Sequence, residues 1–312
     1  MKALGLTEES YTLDAITELE VAEPDCKDNQ VKVEVYSVGL NPSDYRMTVV
    51  PGPVPRNFPF MIGSDFAGKV TEIGKNVTKF HVGDDVYGKP QIPNFGTCAE
   101  YYVIDEELLC KKPAEVSYSQ VCTVPVTFQT ALMNLKRKAD LKKDEYVLVL
   151  GGGGGVGSAA VQIAKNLGAH VWATGLSKDI EAIKKLNPEG IINTETDDLD
   201  KIPVRFDVMM DTVGLKAQQQ VIGLMKDYGR IVSSAVIETD SSISDNKTLN
   251  FIQFEFAHGD GSDFELANEL MASGEYVPSY ETEHPFTAEG LKTALDRIWS
   301  NKKTGRQILK VK

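Results

Sequence analysis

Val31, Val33 and Val35 alternate with Lys32, Glu34 and Tyr36, the period-two pattern of a half-buried strand. Turn formers then recur at short intervals, at Asn41-Pro42, Pro51-Gly52-Pro53, Gly63, Gly68, Gly74, Gly83-Asp84 and Gly88. Between them lie short apolar stretches such as Phe66 to Ile73 and Tyr101 to Ile104. Many short strands punctuated by Gly and Pro predict a compact, barrel-like β domain. Near residue 120 the texture changes. From Tyr146 onward the pattern predicts buried strands at Val147–Leu150, His170–Thr174, Gly190–Asn193, Phe206–Asp211 and Arg230–Ala235. Helical spacing separates them: Val156, Ala160, Ile163, Ala164 and Leu167 fall on one face. Such alternation implies right-handed crossovers and a doubly wound parallel sheet. The tail from about Phe264 predicts a helix around Leu291–Trp299 and a final strand, Gln307–Val311.

At 312 residues the chain is long enough for about two domains, and cores of that size fold without metal or disulfide staples. Acidic residues outnumber basic ones 45 to 33, and the net charge of −12 repels phosphate backbones, which argues against general nucleic-acid binding. Lys136, Arg137, Lys138, Lys142 and Lys143 form a local basic run, read more simply as a solvated helix end and turn. Met1 to Leu6 is followed at once by polar residues, so no signal peptide is expected. No run approaches the ~20 apolar residues of a membrane span, and the expected compartment is the cytoplasm. The four cysteines, Cys26, Cys98, Cys110 and Cys122, contain no CxxC pair and read as buried thiols.

The stretch Val147 to Gly157 carries the first chemistry. It holds Gly152, Gly154 and Gly157 in G-x-G-x-x-G spacing, directly after an apolar strand and directly before a helix. That context is the one a dinucleotide site requires. The glycines permit a tight turn and close approach of the backbone to a pyrophosphate, and the helix start offers N–H groups to the anion. Gly152, Gly154, Gly155, Val156 and Gly157 are therefore expected to hold a cofactor. At the end of the second strand, where NAD-preferring proteins have an acid, the chain has Gly175, followed by Ser177 and Lys178. With no acid there, Ser177 and Lys178 can bind a 2′-phosphate by charge-assisted hydrogen bonds, which points to NADPH. The alternative is that Ser177 caps a helix and Lys178 is merely a solvated first-turn residue.

Gly39-Leu-Asn-Pro-Ser-Asp44, Ile62-Gly-Ser-Asp-Phe-Ala-Gly68, Val82-Gly-Asp-Asp-Val86 and Ala99-Glu-Tyr-Tyr102 follow one another in the first part. The glycine loop, Phe206 to Gly214, Gly229-Arg-Ile-Val232 and Gly305-Arg-Gln-Ile-Leu309 complete the series. In these motifs the chain resembles the medium-chain dehydrogenase/reductase superfamily, in its zinc-free quinone oxidoreductase-like branch (zeta-crystallin type). The resemblance implies an α/β fold: a Rossmann doubly wound parallel sheet plus a GroES-like β-barrel catalytic domain. It places the catalytic domain at residues 1–121, completed by 257–312, and the NADPH-binding domain at 122–256. It also adds Val213 and Gly214 to the cofactor site, and implies a homodimer joined through the last strands of the Rossmann sheets. An apolar run such as Ile231–Ile237, near a sheet edge, would otherwise invite aggregation.

Zinc-dependent relatives have a catalytic Cys where this chain has Asn41 and a His where it has Ser64, and their structural-zinc cysteine cluster is missing here. The four histidines, His81, His170, His258 and His284, are isolated and read as surface or structural residues rather than ligands. No metal is expected. Without a Lewis acid to stabilise an alkoxide, the chemistry suits an acceptor that takes hydride readily, a quinone or a conjugated C=C. A few hydrogen-bond donors then stabilise the developing enolate, and solvent or a side chain supplies the proton.

By resemblance, Asn41 to Arg46 is a loop lining the cleft beneath the nicotinamide. Asn41 and Tyr45 are the candidate donors to the substrate oxygen. Arg46 falls where zinc enzymes often place a proton relay, and Thr130 matches a position near the nicotinamide. Each has a structural alternative: a turn at Asn41-Pro42, packing at Tyr45, an ion pair of Asp44 with Arg46, a helix-interior threonine at Thr130. The leading reading is an NADPH:quinone or enone oxidoreductase acting on a small molecule. An enoyl-thioester reductase is the second, and a non-catalytic NADPH-binding protein is the alternative of another class. Variable loops such as residues 47–60 and 239–256 would shape the substrate pocket.

Overall fold

The computed structural model describes residues 1–52, 56–91, 94–235, 248–252, 261–300 and 305–312. His258 and parts of both loops named above as pocket-shaping lie outside the described residues. The chain divides into two units, Met1–Val126 with His258–Lys312, and Thr127–Ala257. The first division falls after Val126 rather than after residue 121. The short helix Tyr118–Val121 packs on strands of the first unit, and the Val126 N–H donates to Asp65 at 3.1 Å.

In the first unit the strand Gln30–Leu40 organises the sheet. Its inward residues Val31, Val33 and Val35 are no more than 1% exposed. It pairs antiparallel with Asp65–Ile73, with Tyr101–Asp105 and with the tail strand Gln307–Lys310. The tail strand in turn pairs with Thr282–Pro285, while Asp85–Gly88 and Leu109–Lys111 extend the other side. A smaller sheet joins Thr17–Glu20, Lys2–Leu6 and Phe60–Met61. The helix Ala288–Trp299, capped by the Thr287 hydroxyl, buries Leu291, Leu295 and Ile298 at i, i+4, i+7 spacing against Leu4, Phe66 and Leu309. The antiparallel register sets Gln307 opposite Leu40, so residue 306 arrives beside residue 41. Gly39 makes this approach possible. A Cβ there would lie 2.1 Å from the Cys122 carbonyl oxygen and 2.9 Å from the Arg306 guanidinium.

The second unit is a six-stranded parallel sheet. Its order is Gly190–Asn193, His170–Gly175, Tyr146–Leu150, Phe206–Asp211, Met225–Ser233, Asn250–Ile252. Numbered within the unit this reads 3-2-1-4-5-6, the doubly wound arrangement that binds ligands at the strands' carboxyl ends. The helix Gly155–Asn166 buries Ala160, Ile163 and Ala164, as its spacing predicts. One strand differs from its expected bounds. It begins at Met225, where the exposed Lys226, Asp227 and Tyr228 conceal the pattern. The apolar run beginning at Ile231 lies one strand in from the sheet edge: Ile231 and Val232 are buried and paired with Asn250–Ile252, the outermost strand of this sheet among the described residues, and residues 236 and 237 lie outside them. The basic run ends a helical segment, Met133–Lys138, where cations suit the helix dipole, and Lys142 pairs with Asp140. No helix among the described residues is long and apolar enough to cross a membrane.

Candidate active site

The glycine loop of the second unit is a tight fit rather than a slack linker. The strand Tyr146–Leu150 runs into Gly151 at φ +73, and the helix begins at Gly155 with Gly154 as its N-cap. A Cβ on Gly152 would lie 2.8 Å from the Ala173 Cβ, and one on Gly157 2.1 Å from the Gly151 carbonyl oxygen. The Gly151 N–H donates to the Thr174 hydroxyl at 3.2 Å, and the Gly152 N–H to the Thr174 carbonyl at 2.9 Å. Among the described residues no side chain caps the helix start, so the N–H groups of its first turn, at Gly155, Val156 and Gly157, can face an anion.

Val213 and Gly214 bound the loop on its other side. Their N–H groups donate to the buried Asp211 carboxylate at 2.8 and 2.9 Å. A Cβ on Gly151 would meet the Val213 side chain at 2.7 Å. The structure thus brings the expected cofactor residues of two strand ends together, and these residues fit a dinucleotide.

The end of the second strand holds a residue that sequence reasoning missed. Gly175 has no room for a side chain, since a Cβ would lie 2.5 Å from the Ile183 Cδ1. Beyond it, the Ser177 N–H donates to the Glu195 carboxylate at 2.8 Å, and the Asn193 amide donates to the Ser177 hydroxyl at 3.0 Å. Ser177 therefore makes no helix cap with its side chain. Lys178 pairs with Asp179 at 3.2 Å. Glu195 belongs to the turn after the third strand. Its signal lay in strand pairing, which sets Asn193 opposite Gly175. Thr130 is buried within the helix Pro125–Leu132, its carbonyl accepting from the Asn134 amide at 2.9 Å.

In the first unit, Asn41 to Arg46 is not a loop but the start of the helix Pro42–Val49. Pro42 occupies the first helical position, where a missing N–H costs nothing. The Asn41 N–H donates to the Asp44 carboxylate at 2.7 Å, which stops the chain from fraying there. The Asn41 side chain turns inward at 1% exposure. Its amide nitrogen donates to the Ser64 hydroxyl at 3.1 Å and to Asp65 at 3.0 Å, and its oxygen accepts from Arg306. Both amide hydrogens and the oxygen are thus committed, so donation to a substrate oxygen would have to break one of these bonds.

Ser64 donates to the other Asp44 oxygen at 3.0 Å, and Arg306 pairs with Asp65 at 2.9 Å with side chains only 6% and 0% exposed. Lys89, also buried, adds a second positive charge toward Asp65. Asp44 therefore serves the network and does not pair with Arg46. Tyr45 stacks its ring on Trp299, centroids 4.5 Å apart and 9° from parallel. Neither the Tyr45 hydroxyl nor the Arg46 guanidinium has a hydrogen-bond or ion-pair partner among the described residues. Of the two candidate donors and the candidate relay residue, the structure thus commits Asn41 and leaves Tyr45 and Arg46 without such a partner among the described residues. Among the described residues, no group of three or more His, Cys, Asp or Glu could hold a metal.

A β unit and a doubly wound unit with a dinucleotide cradle define a two-domain, nucleotide-dependent oxidoreductase. Two family models match the chain in succession: the alcohol dehydrogenase GroES-like domain over residues 27–133 and the zinc-binding dehydrogenase domain over residues 155–272. The chain is 28% identical to 2-methylene-furan-3-one reductase of Solanum lycopersicum, over 99% of this chain and 79% of that one. It is 26% identical to the chloroplastic NADPH-dependent alkenal/one oxidoreductase of Arabidopsis thaliana, over 94% and 75%. The solved quinone oxidoreductase of Coxiella burnetii superposes with a TM-score of 0.84 at 25% identity, over 100% and 99% of the two chains. The chain belongs to the medium-chain dehydrogenase/reductase family, on its quinone oxidoreductase-like side, and is an oxidoreductase that uses a nicotinamide cofactor.

The buried carboxyls of the first unit give a pH signature. Burial raises the Asp44 carboxyl to about 7; Asp65 pushes the same way, while the Asn41 N–H and the Ser64 hydroxyl oppose it. Burial also raises Asp65, with Arg306 as the chief opposing influence. Folded Asp44 therefore keeps a proton that the unfolded chain releases near pH ~4. Its contribution to stability is complete below that pH and is lost as pH climbs through about 7. Asp44→Asn cannot ionise, so its Tm should improve relative to the unmutated protein as buffer pH is raised from roughly 5 to 8. A Tm difference that stays constant across this range would contradict the assignment.

Proposed function

We propose that the protein reduces small quinones or α,β-unsaturated ketones and aldehydes with NADPH, and that it does so without a metal. The observation that carries this reading is the hydrogen-bonded network at Asn41, Ser64, Asp65 and Arg306. Where metal ligands would be needed, the chain places an amide and a hydroxyl already bonded to each other. The activities named for the tomato and Arabidopsis relatives support the same substrate class.

Gly152 to Gly157, with Val213 and Gly214, would hold the dinucleotide, and Ser177 and Lys178 its 2′-phosphate. The bound nicotinamide supplies the hydride. A conjugated acceptor then collects negative charge on an oxygen remote from the attacked carbon. The uncommitted donors of Tyr45 and Arg46 would stabilise that oxygen, acting chiefly as charge develops. Asn41 would fix the helix that carries them. Solvent protonates the resulting enolate, because no buried acid is needed for a carbanion so stabilised. Pairing of two copies along the Asn250–Ile252 edge belongs to the same proposal.

The reaction is tested by following absorbance at 340 nm with quinones, enones, enoyl-CoAs and alcohols in one panel. NADPH oxidation with quinones or enones, and little NADP⁺ reduction by simple alcohols, is the expected pattern. Activity confined to alcohols would overturn the mechanism, preference for enoyl-CoAs would make the protein a thioester reductase, and silence on every class would favour a non-catalytic cofactor-binding role.

Cofactor choice is tested separately. Lys178→Ala should weaken NADPH binding by roughly 1.5–3 kcal/mol, about 10- to 100-fold, and change NADH binding far less. An equal effect on both cofactors would remove Lys178 from the phosphate site.

A further inference from the structure

The acid absent from position 175 is supplied from elsewhere. Parallel pairing sets Asn193 beside Gly175, and the chain then turns so that Glu195 lies against the residues that follow the second strand. Its carboxylate accepts the Ser177 N–H at 2.8 Å, and its own N–H donates to the Asn193 side chain at 3.1 Å. The Asn193 amide holds the Ser177 hydroxyl. The Ser177 hydroxyl and N–H, together with the nearby Lys178 charge, hold the Glu195 carboxyl below the usual glutamate range, so it is ionised. Asp179 stands on the other side. It pairs with Lys178 at 3.2 Å, and its Cβ is 2.9 Å from where a Gly153 Cβ would be.

A 2′-phosphate bound at Ser177 and Lys178 would thus meet two carboxylates and one ammonium, and it would need the N–H that Glu195 already occupies. A 2′-hydroxyl has the opposite requirement, because it donates to a carboxylate. We propose that Glu195 is the residue that sets cofactor discrimination in this chain, opposing the phosphate of NADPH and accepting the ribose hydroxyl of NADH. The inference rests on the reading that Ser177 and Lys178 form the 2′-phosphate site. On this account the protein accepts both cofactors, and its preference for NADPH is held in check by a carboxylate from the third strand's turn.

The test is a pair of binding titrations, following cofactor fluorescence for NADPH and for NADH, on the unmutated protein and on Glu195→Gln and Glu195→Ala. Glu195→Gln keeps an oxygen for the Ser177 N–H but removes the charge. It should tighten NADPH about tenfold while weakening NADH, with the NADPH gain shrinking at high salt as screening replaces the lost repulsion. Glu195→Ala should shift the two cofactors in the same opposite directions. A structural role alone would move both cofactors together, and that result would overturn the proposal. Unchanged NADPH affinity in both variants, with Lys178→Ala still selectively weakening NADPH, would also overturn it and leave the phosphate site intact. If Lys178→Ala is equally without effect on NADPH, the phosphate site fails and the inference with it.

Discussion

The buried ion pair between Arg306 and Asp65 is the constraint on which the first unit's organisation depends. Two charges withdrawn from water carry a desolvation penalty of several kcal/mol each, and their attraction offsets it only when the remaining hydrogen-bonding capacity is satisfied. Here the Asn41 amide satisfies much of it, donating to Asp65 and accepting from Arg306, and the buried Arg306 Nε alone in this ion pair has no hydrogen-bond partner among the described residues. The pair therefore fixes three distant parts of the chain at one point: the start of the helix Pro42–Val49, the start of the strand Asp65–Ile73, and the tail strand Gln307–Lys310. Once Asn41 is held, Asp44 and Ser64 follow, and the helix carrying Tyr45 and Arg46 has only one way to begin.

This arrangement accounts for a division of labour among polar groups. Groups inside the network are held by hydrogen bonds to one another, so they position; just outside it, the Tyr45 hydroxyl and the Arg46 guanidinium have no partner among the described residues. In the second unit the same economy appears around Asp211, which takes the N–H groups of Val213 and Gly214 and also accepts from Gln218 and Ser233. A single buried carboxylate shapes the turn beside the glycine loop. In both units a buried acid organises backbone, and the groups left over are the ones available for chemistry.

The sequence made the second unit more legible than the first. Its strands lie within a parallel sheet covered on both faces, so they read as continuous apolar runs, and four of the five expected strands match within a residue or two. The glycine loop is equally plain because its spaced glycines run from the end of a strand into the first turn of a helix. The first unit hid more. Thr17–Glu20 is a strand of largely polar residues, and Pro42–Val49 reads as a turn unless the proline is taken as a helix start. Arg306 was visible only as part of a terminal motif, because its partner at position 41 lies 265 residues away and only the strand register brings them together. Glu195 is hidden for the same reason on a smaller scale: it sits in the turn after the third strand, and only strand pairing brings it beside the residues that follow the second.

The central claim is that Arg306 and Asp65 act as a unit, and a double-mutant cycle measured by urea denaturation tests it most directly. Arg306→Gln should cost about 3–5 kcal/mol, because it leaves Asp65 buried without its main counter-charge. Adding Asp65→Asn to that variant should cost little more, giving a coupling of roughly 2 kcal/mol or greater. If instead the two single costs add to within ~0.5 kcal/mol, the residues do not depend on each other and the account of the first unit is wrong.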